Sequence, residues 1–491
     1  MPMKREQLQS TRKAWSAIRV HSFTSGFYRG FSLVEVILSS AVFVLLITAL
    51  VGAYLYGQEA TVFAGNRARS VMLAEEGLEA VRNIRDAGFS NLTGGIFGLI
   101  ISDNQWDLSG SSDVSDIFTR QLVISAVDTG RIHATSNVTW QQNPQRNGEV
   151  SFITRFSDWA RNFGNWGVAT QEATLDLSTT DNGNEIALYT TGSATYAIVV
   201  RTRGLASELY VIDVSIPASP VVVSNVEIGA TVNDVAVCGN YAVVATVANS
   251  GELQVINLTT PSAPLIASVF NLTGGANALS VVCTGTTVFL GRAASAQYEL
   301  YAITIADPLA PSILSSLELG TNADAAKVVL AQNGQYLYIA SPVNSGELFI
   351  VSTSSPSSIF LTSTFDASGG SDGTAVTAFS TYAVLGRADG NILVIDVSIP
   401  AGPTLISSAL DIGGNIQDMA MGIGDSSVFI ASNTADTPTF IIDVITPASP
   451  AILGSVAYGE DTKGIVWDYN LNRAFIAGTS NTAEFAVLTS N

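Results

Sequence analysis

A run of twenty residues without charge, residues 36–55, is the first marked pattern in the chain, and most of these residues are apolar. A helix rises about 1.5 Å per residue, so a helix of this length crosses the roughly 30 Å hydrocarbon core of a bilayer. Six basic residues precede the run, whereas Glu6 is the single acidic residue among the first thirty. Because basic flanks stay in the cytoplasm, the chain beyond residue 57 is predicted to be exported.

The helical pattern continues after the apolar run. Leu73, Gly77, Val81 and Ile84 fall on one face at helical spacing, and charged residues occupy the other faces. Gly88 is suited to the C-cap. The sequence therefore predicts one long helix over residues 31–88, with an apolar first half and a projecting second half.

A strand pattern replaces the helical one in the next segment. Alternating runs cover residues 117–127, 132–140 and 149–156, and residues typical of turns separate them. This pattern predicts an antiparallel sheet of about three strands within a small β-rich head over residues 89–166.

The remainder of the chain repeats itself. A segment that ends in a proline-rich turn recurs six times, with its first proline at 217, 261, 308, 356, 400 and 447. A period near 46 residues with about four strands in each unit is typical of a β-propeller.

The strand count predicts how this ring closes. Six four-stranded units cover about residues 186–456, and a seventh has only the strands 464–467, 473–477 and 485–489. Residues 173–177 are predicted to supply its fourth strand, which leaves no open edge in the last blade. The expected fold is mainly β: a seven-bladed propeller over residues 167–491, after a long N-terminal helix and a small antiparallel sheet.

Charge and composition narrow the classes of function. The chain has 41 acidic and 22 basic residues, a net charge of −19, which argues against binding nucleic acid. With only two Cys and two His in the whole chain, neither a Cys/His structural zinc site nor a disulfide framework is expected. For Cys238 and Cys283, in adjacent units, free buried thiols are favoured over a bridge.

Candidate catalytic residues are few. Beyond the first thirty residues, His133 is the only histidine, and Lys327 and Lys463 are the only lysines. A Ser-His-Asp or Cys-His centre therefore cannot form within the propeller, and no enzyme activity is expected. A lyase or glycosidase remains an alternative if two carboxylates converge in a central pocket.

Acidic residues recur at one position of the repeat, the start of the third strand in a unit. A propeller would bring them to the same face as three aspartates that lie in the connections between units. A face of this kind suits Ca²⁺ or a basic partner, and it equally suits plain solvated strand ends; no other cofactor or metal is expected. The candidate residues are Glu208, Glu252, Glu299, Glu347, Glu484, Asp324, Asp372 and Asp461.

The segment Gly30-Phe31-Ser32-Leu33-Val34-Glu35, followed by the apolar run, resembles the N-terminus of a type IV prepilin or pseudopilin. The resemblance implies that residues 1–30 are a leader, that a prepilin peptidase cuts after Gly30, and that the new Phe31 amine is methylated. Glu35 would then assist assembly with other pilin subunits, since a carboxylate in an apolar helix is costly unless it is paired. The alternative is a plain signal anchor.

The segments 210–214 and 393–397 resemble the propellers of bacterial surface proteins that carry LVIVD repeats, and this resemblance covers about residues 171–491. Together, the two resemblances imply a minor type IV pilin-like protein that displays a propeller for adhesion or for binding an unknown surface ligand. It would reside in the cytoplasmic membrane before assembly, and then in an extracellular filament or on the cell surface. A pseudopilin that primes filament or secretion-system assembly is the alternative.

Overall fold

The computed structural model describes residues 32–128, 130–144, 146–159, 161–177, 181–422, 426–434, 438–480 and 482–491. Gly30 and Phe31, the residues of the predicted cleavage site, lie outside these ranges. The chain forms two compact units. The first comprises the described residues up to Ser125 together with His133–Phe156, and the second comprises Ala126–Ile132 together with Ser157–Asn491.

The N-terminal element is a single helix, α1 (Leu33–Ala87), which ends at the C-cap Gly88 as the sequence predicts. It contains an 18-residue stretch with a mean hydropathy of 2.6, none of which is buried in the structure. By length and composition, this part of the helix can cross a membrane. The buried residues of α1 all lie in its second half: Ser70, Ala74, Gly77, Ala80, Val81 and Ile84.

The second half of α1 packs on a six-stranded antiparallel sheet. Its strands are β1 (Gly95–Ser102), β2 (Gln105–Ser109), β3 (Asp113–Ser115), β4 (Phe118–Asp128), β5 (Arg131–Asn143) and β6 (Arg146–Ser157). They pair in the order β2-β1-β4-β5-β6, and β3 pairs with β4. A short 3-10 helix, Phe89–Asn91, joins α1 to β1. The three predicted strands correspond to β4, β5 and β6, and the sequence prediction missed β1, β2 and β3.

A glycine allows the helix to approach the sheet closely. A Cβ atom at Gly77 would lie 2.4 Å from the Ser136 hydroxyl and 3.2 Å from Leu122. Ala74, one turn earlier, packs into an apolar cluster with Phe118 and Trp140. The helical periodicity of small residues therefore decides which face of α1 is buried.

In the second unit, a 3-10 helix, Trp166–Val168, and the strand β7 (Thr170–Leu175) precede the repeated region. Trp166 is buried against Phe429 of the repeated region. The predicted head boundary after residue 166 therefore differs from the structural division, which comes after Phe156.

The first four sheets of the repeated region each have four antiparallel strands. Sheet 1 contains β8 (Gly183–Thr191), β9 (Ala194–Arg201), β10 (Leu209–Asp213) and β11 (Val221–Val226). Sheet 2 contains β12 (Val232–Cys238), β13 (Tyr241–Thr246), β14 (Leu253–Asn257) and β15 (Leu265–Phe270). Sheet 3 contains β16 (Ala278–Thr284), β17 (Thr287–Arg292), β18 (Leu300–Thr304) and β19 (Ser312–Leu317). Sheet 4 contains β20 (Lys327–Leu330), β21 (Tyr336–Ala340), β22 (Leu348–Ser352) and β23 (Phe360–Phe365).

Three more sheets complete the described part of this unit. Sheet 5 contains β24 (Gly373–Phe379), β25 (Tyr382–Arg387) and β26 (Asn391–Asp396), with an outer strand divided into β27 (Thr404–Leu405) and β28 (Leu410–Asp411). Sheet 6 contains β29 (Ile416–Met421), β30 (Ser427–Ser432), β31 (Thr439–Asp443) and β32 (Ala451–Val456). Sheet 7 contains β33 (Thr462–Asp468), β34 (Arg473–Gly478) and β35 (Phe485–Thr489), and β7 is its outer strand.

These sheets form a closed ring, which is the arrangement of a β-propeller. The first strand of each sheet contacts the first strand of the next, and β33 of sheet 7 contacts β8 of sheet 1. The pairing of β7 with β35, in which Leu175 lies opposite Phe485, joins the two ends of the unit. The predicted closure by residues 173–177 is thus found, although the strand begins three residues earlier. Apolar side chains fill the space between neighbouring sheets, as where Val243 of sheet 2 packs in one cluster with Leu290 of sheet 3.

A disulfide bond joins the innermost strands of two neighbouring sheets. Cys238 and Cys283 have Sγ atoms 2.03 Å apart and Cα atoms 6.0 Å apart. The expectation of free thiols is therefore wrong. Innermost strands converge near the axis of the ring, and Cys283 lies one position before the equivalent of Cys238, which is Thr284, so the two cysteines come within the distance that a disulfide spans.

The propeller has two faces, which we name by the loops they carry. The first-turn face carries the turns between first and second strands, and the disulfide lies there, since Cys238 ends β12. Residues that precede the ring in the second unit bind on this face: Arg161 donates a hydrogen bond to the carbonyl of Asn470, and Asn472 donates one to the carbonyl of Phe163, with both asparagines in the β33–β34 turn. The opposite face carries the starts of the innermost strands, and we call it the mouth face.

Candidate functional site

Glu35 is the third residue of the long helix and forms part of a capping box at its start. Ser32 is the N-cap residue; its backbone N–H donates to Glu35 Oε2 at 3.0 Å, and the N–H of Val34 donates to the Ser32 hydroxyl at 3.3 Å. These bonds satisfy two backbone donors that the first turn of a helix leaves without partners. Glu35 therefore has a local structural role in addition to the role that the prepilin resemblance implies.

The five glutamates of the predicted acidic face are buried, which corrects the expectation that they form a solvent-facing surface. Each is at most 1% exposed. In four of them, Oε2 accepts a hydrogen bond from a backbone N–H twenty residues later, as between Glu347 and Ala367 at 2.7 Å. The other three such pairs are Glu208 with Ile228, Glu252 with Leu272 and Glu299 with Leu319.

The fifth glutamate makes the same bond across the closure of the ring. Glu484 in sheet 7 accepts a hydrogen bond from the N–H of Leu177, which follows β7, at 2.8 Å. The guanidinium of Arg201 in sheet 1 lies 3.8 Å from the other Glu484 oxygen, and both side chains are fully buried. Arg292 and Glu252 form an equivalent pair at 3.6 Å. These glutamates fix the connections between sheets, and the sequence could not show that these connections cover them.

The three aspartates of the predicted face are half-buried. Asp324 accepts a hydrogen bond from the N–H of Ala294 at 2.7 Å. Asp372 and Asp461 precede the innermost strands of sheets 5 and 7, and their backbone carbonyls accept bonds from Ala388 and Thr479. Among the described residues, no group of three or more Asp, Glu, His or Cys side chains has the arrangement of a metal site.

A polar cavity of about 240 Å³ opens at the centre of the mouth face. We call it the axial cup. All seven innermost strands contribute to its wall, each near its start. The lining residues are Asn184, Glu185, Asn233, Asp234, Leu279, Ala326, Lys327, Thr374, Gln417 and Lys463.

Lys327 extends across the ring and forms the floor of the axial cup. Its Nζ lies 2.6 Å from Glu185 Oε2 in sheet 1 and 2.8 Å from Asp418 Oδ1 in sheet 6. Asp234 Oδ1 in sheet 2 is 3.9 Å away. The lysine side chain is 16% exposed and the three carboxylates are at most 8% exposed, so the four side chains form one buried ion cluster.

Backbone and side-chain donors hold the carboxylates of this cluster in place. Asp234 Oδ2 accepts hydrogen bonds from the hydroxyl of Ser280 at 2.6 Å and from the N–H of Val281 at 2.8 Å. Asp418 Oδ2 accepts one from the N–H of Ile465 at 3.0 Å. The equivalent position in sheet 7 is Gly464, where a Cβ atom would lie 2.5 Å from Glu185 Oε1. Glycine at this position makes room for the glutamate.

Burial and mutual charge shift the pKa values of the cluster. Burial raises the pKa of Glu185 well above 4.5, and the Asp418 charge raises it further, against the effect of Lys327. Burial also raises the pKa of Asp234. Burial alone would lower the pKa of Lys327, but the carboxylates of Asp234, Asp418 and Glu185 outweigh it and hold this pKa well above 10.5. Lys327 therefore stays charged, and Glu185 retains a proton more readily than an exposed glutamate.

The carboxylates of Glu185 and Asp418 converge, as a glycosidase or lyase would require, but Lys327 occupies the space between them. Glu185 and Asp418 both bind the lysine ammonium rather than facing open solvent. The lysine offsets one of the three carboxylate charges and closes the floor of the cup.

The rim of the axial cup carries neutral polar groups and one further cation. Asn184 and Asn233 donate through Nδ2 to the carbonyls of Val232 and Ala278 on the neighbouring innermost strands, at 2.8 and 2.6 Å. Lys463 Nζ donates to Gln417 Oε1 at 2.9 Å. Sequence reasoning identified the two lysines only as rare residues. It did not find the cup. The presence of a charged residue at the same position of the first strand in sheets 1, 2, 4 and 6 could have indicated it.

Comparisons with known proteins agree with the fold. The family model described as LVIVD repeat matches residues 204–228, 229–271, 324–367 and 375–411. No curated protein matches the chain. A chain in the structure titled "Crystal Structure of Mitotic Checkpoint Complex" is similar at 12% identity and a TM-score of 0.51, over 65% of this chain and 91% of that chain. A chain in "Structure of U3-55K" is similar at 8% identity and a TM-score of 0.49, over 67% of this chain and 100% of that one.

LVIVD repeats are thus present in a β-propeller-like region that follows an apolar N-terminal helix. The similarity to the checkpoint-complex chain concerns the fold alone.

Proposed function

We propose that this chain is a minor, type IV pilin-like protein that presents a ligand-binding propeller outside the cell. The observation that carries the proposal is the division of α1. Its first half is apolar and exposed on all sides, whereas its second half packs on a small antiparallel sheet. A helix of this kind, which begins within the sequence Gly30 to Glu35, suits a subunit that moves from a membrane into a filament.

One further feature supports a location outside the cytoplasm. The disulfide between Cys238 and Cys283 suits an oxidising compartment. We assign no reaction to the chain, because the Lys327 ammonium lies between the converging carboxylates of Glu185 and Asp418.

Mass spectrometry of the mature N-terminus tests the proposal. The expected first residue is Phe31 with a methylated amine, produced by a prepilin peptidase. An intact Met1, or a cut after the apolar run, contradicts the pilin-like assignment and supports a plain signal anchor or a secretory signal.

A glutamine substitution separates the two roles of Glu35. Glutamine at the third position of a helix maintains a capping box, so Glu35→Gln retains the helix start and removes only the charge. We expect normal cleavage but loss of the subunit from purified filaments. Glu75→Gln, an exposed position in the second half of α1, is the matched control and should assemble normally. Equal assembly of both variants would contradict a role for the Glu35 charge.

A pseudopilin that primes assembly is the second candidate, and cells that lack this chain distinguish it. Loss of ligand attachment with filaments intact supports the binding role. Loss of the filaments themselves supports the priming role, with other pilin subunits as the partners and the propeller as their interaction platform.

A further inference from the structure

Both lysines of the chain beyond residue 13 line the same cavity. The protein has four lysines, at positions 4, 13, 327 and 463, and Lys327 and Lys463 both belong to the wall of the axial cup. Elsewhere the chain is strongly acidic, so this placement concentrates its rarest cationic side chain at one point.

The two lysines differ in their charge partners. Lys327 is surrounded by Glu185, Asp234 and Asp418 and needs no further anion. Lys463 binds the neutral amide of Gln417, and no carboxylate of the described residues lies within 4.0 Å of its Nζ. A half-buried ammonium without a counter-ion favours an anionic ligand.

The other rim groups suit hydroxyl groups on that ligand. Asn184 and Asn233 are each fixed by the bond that Nδ2 makes to a neighbouring strand. Their amide oxygens accept no hydrogen bond from the described residues, so they can accept bonds from a ligand. Thr374 adds a hydroxyl, and Leu279 and Ala326 are the apolar residues of the lining.

The floor of the cup limits the charge of the ligand. The carboxylates there are buried and turned toward Lys327, which offsets one of their three charges, and burial raises the pKa of Glu185 and of Asp234, so the floor keeps only part of its negative charge. One uncompensated cation above an acidic floor suits a single negative charge better than a doubly charged phosphate or sulfate, and two ammonium groups disfavour a divalent cation.

We propose that the axial cup binds a small hydroxylated carboxylate, with the carboxylate on Lys463 and hydroxyl groups on Asn184 and Asn233. This chemistry belongs both to free hydroxy acids and to uronic-acid units of acidic polysaccharides. The inference rests on the proposed function, because it names the ligand class of the displayed propeller.

Isothermal titration calorimetry on the full chain in detergent micelles tests this inference. The probes are galacturonate, its methyl ester, galactose, lactate and sulfate. Galacturonate or lactate should bind measurably. The methyl ester and galactose, which carry no charge, and sulfate, which carries two negative charges, should bind at least about tenfold more weakly. Tighter binding of galacturonate assigns a uronic-acid unit, and tighter binding of lactate assigns a free hydroxy acid.

Three variants locate the site. Lys463→Met should weaken binding of the preferred carboxylate by about tenfold or more, and Lys463→Arg should retain most of the affinity. Arg203→Met removes an equal charge from an exposed position on the mouth face outside the cup, and it should change affinity by less than about twofold. An unchanged thermal midpoint in each variant shows that the fold persists.

Two results would overturn the inference. One is equal affinity of Lys463→Met and the unaltered chain for the carboxylate. The other is binding of none of the carboxylates at millimolar concentration by a folded chain. Neither result affects the mass of the mature N-terminus, so failure of this inference and failure of the pilin-like assignment are distinguishable on the same preparation.

Discussion

Lys327 and Glu185 meet across the axis of the propeller, with Nζ 2.6 Å from Oε2, although they are 142 residues apart in the chain. Sheets 1 and 4 are not neighbours in the ring. The pair therefore joins opposite walls, and with Asp418 it closes the centre of the ring.

Replacing Lys327 with methionine should destabilise the propeller strongly. The substitution leaves Glu185, Asp234 and Asp418 buried without a cation, and breaking a buried ion pair in this way costs about 3–5 kcal/mol. The measurement is the thermal unfolding midpoint of the full chain by calorimetry. Lys463→Met is the matched control and should shift the midpoint little, because Lys463 has an amide partner. Equal midpoints for the two variants would contradict a structural role for the ion cluster.

Replacing Glu185 with glutamine should change how stability depends on pH. The pKa of Glu185 in the folded chain lies well above 4.5, so above that pH the folded state holds a proton that the unfolded state releases. The stability that this group contributes therefore falls as pH rises from about 4.5 through its raised pKa. Glutamine does not titrate and still accepts a bond from Lys327, so the variant should gain stability relative to the unaltered chain over this window. If the thermal midpoints of the variant and of the unaltered chain change in parallel between pH 4 and pH 9, the raised pKa of Glu185 is contradicted.

Replacing Glu484 with glutamine should weaken the closure of the ring. Glutamine retains an acceptor for the N–H of Leu177 but removes the carboxylate charge 3.8 Å from the Arg201 guanidinium, which keeps the Asp181 carboxylate at 3.9 Å. We expect a loss of about 2–3 kcal/mol in the free energy of unfolding. Glu208→Gln is the control, since the position equivalent to Arg201 in the next sheet is Thr246 and no ion pair is lost. An equal loss in the free energy of unfolding for Glu208→Gln and Glu484→Gln would show that the charge pair with Arg201 does not contribute to stability.

Removing the disulfide should destabilise the propeller as well. The bond closes a loop over a separation of 45 residues, for which chain-entropy reasoning gives about 3–4 kcal/mol. The paired substitution of Cys238 and Cys283 by alanine should lower the thermal midpoint by the same amount as a reducing agent does in the unaltered chain. The reducing agent should have no effect on the double variant. Rapid alkylation of both thiols without reduction would contradict the bond.

The order of the elements could be predicted because local patterns encode it. The twenty-residue apolar run and the small residues up to Ile84 dictate one long helix, and the proline-rich turns fix the repeat and its outer strands. Closure by the segment before sheet 1 followed from counting strands, because a propeller must pair its last edge. Strands β1, β2 and β3 were missed, since they lack a clear alternation of apolar and polar residues and β2 and β3 are also short.

Only the tertiary structure decided the chemistry of the centre. Lys327, Lys463 and the carboxylates lie on different sheets, and no local pattern specifies which side chain of one innermost strand reaches another across the axis. The same holds for the glutamates at the starts of third strands, which the sequence presents as exposed charges. The connection between sheets folds over each glutamate, and a backbone N–H of that connection donates a hydrogen bond to one of its oxygens. The glutamates are therefore buried and hold the connections in place, instead of forming an acidic surface. Sequence periodicity fixes the ring, but convergence of distant residues at its axis determines what the ring can bind.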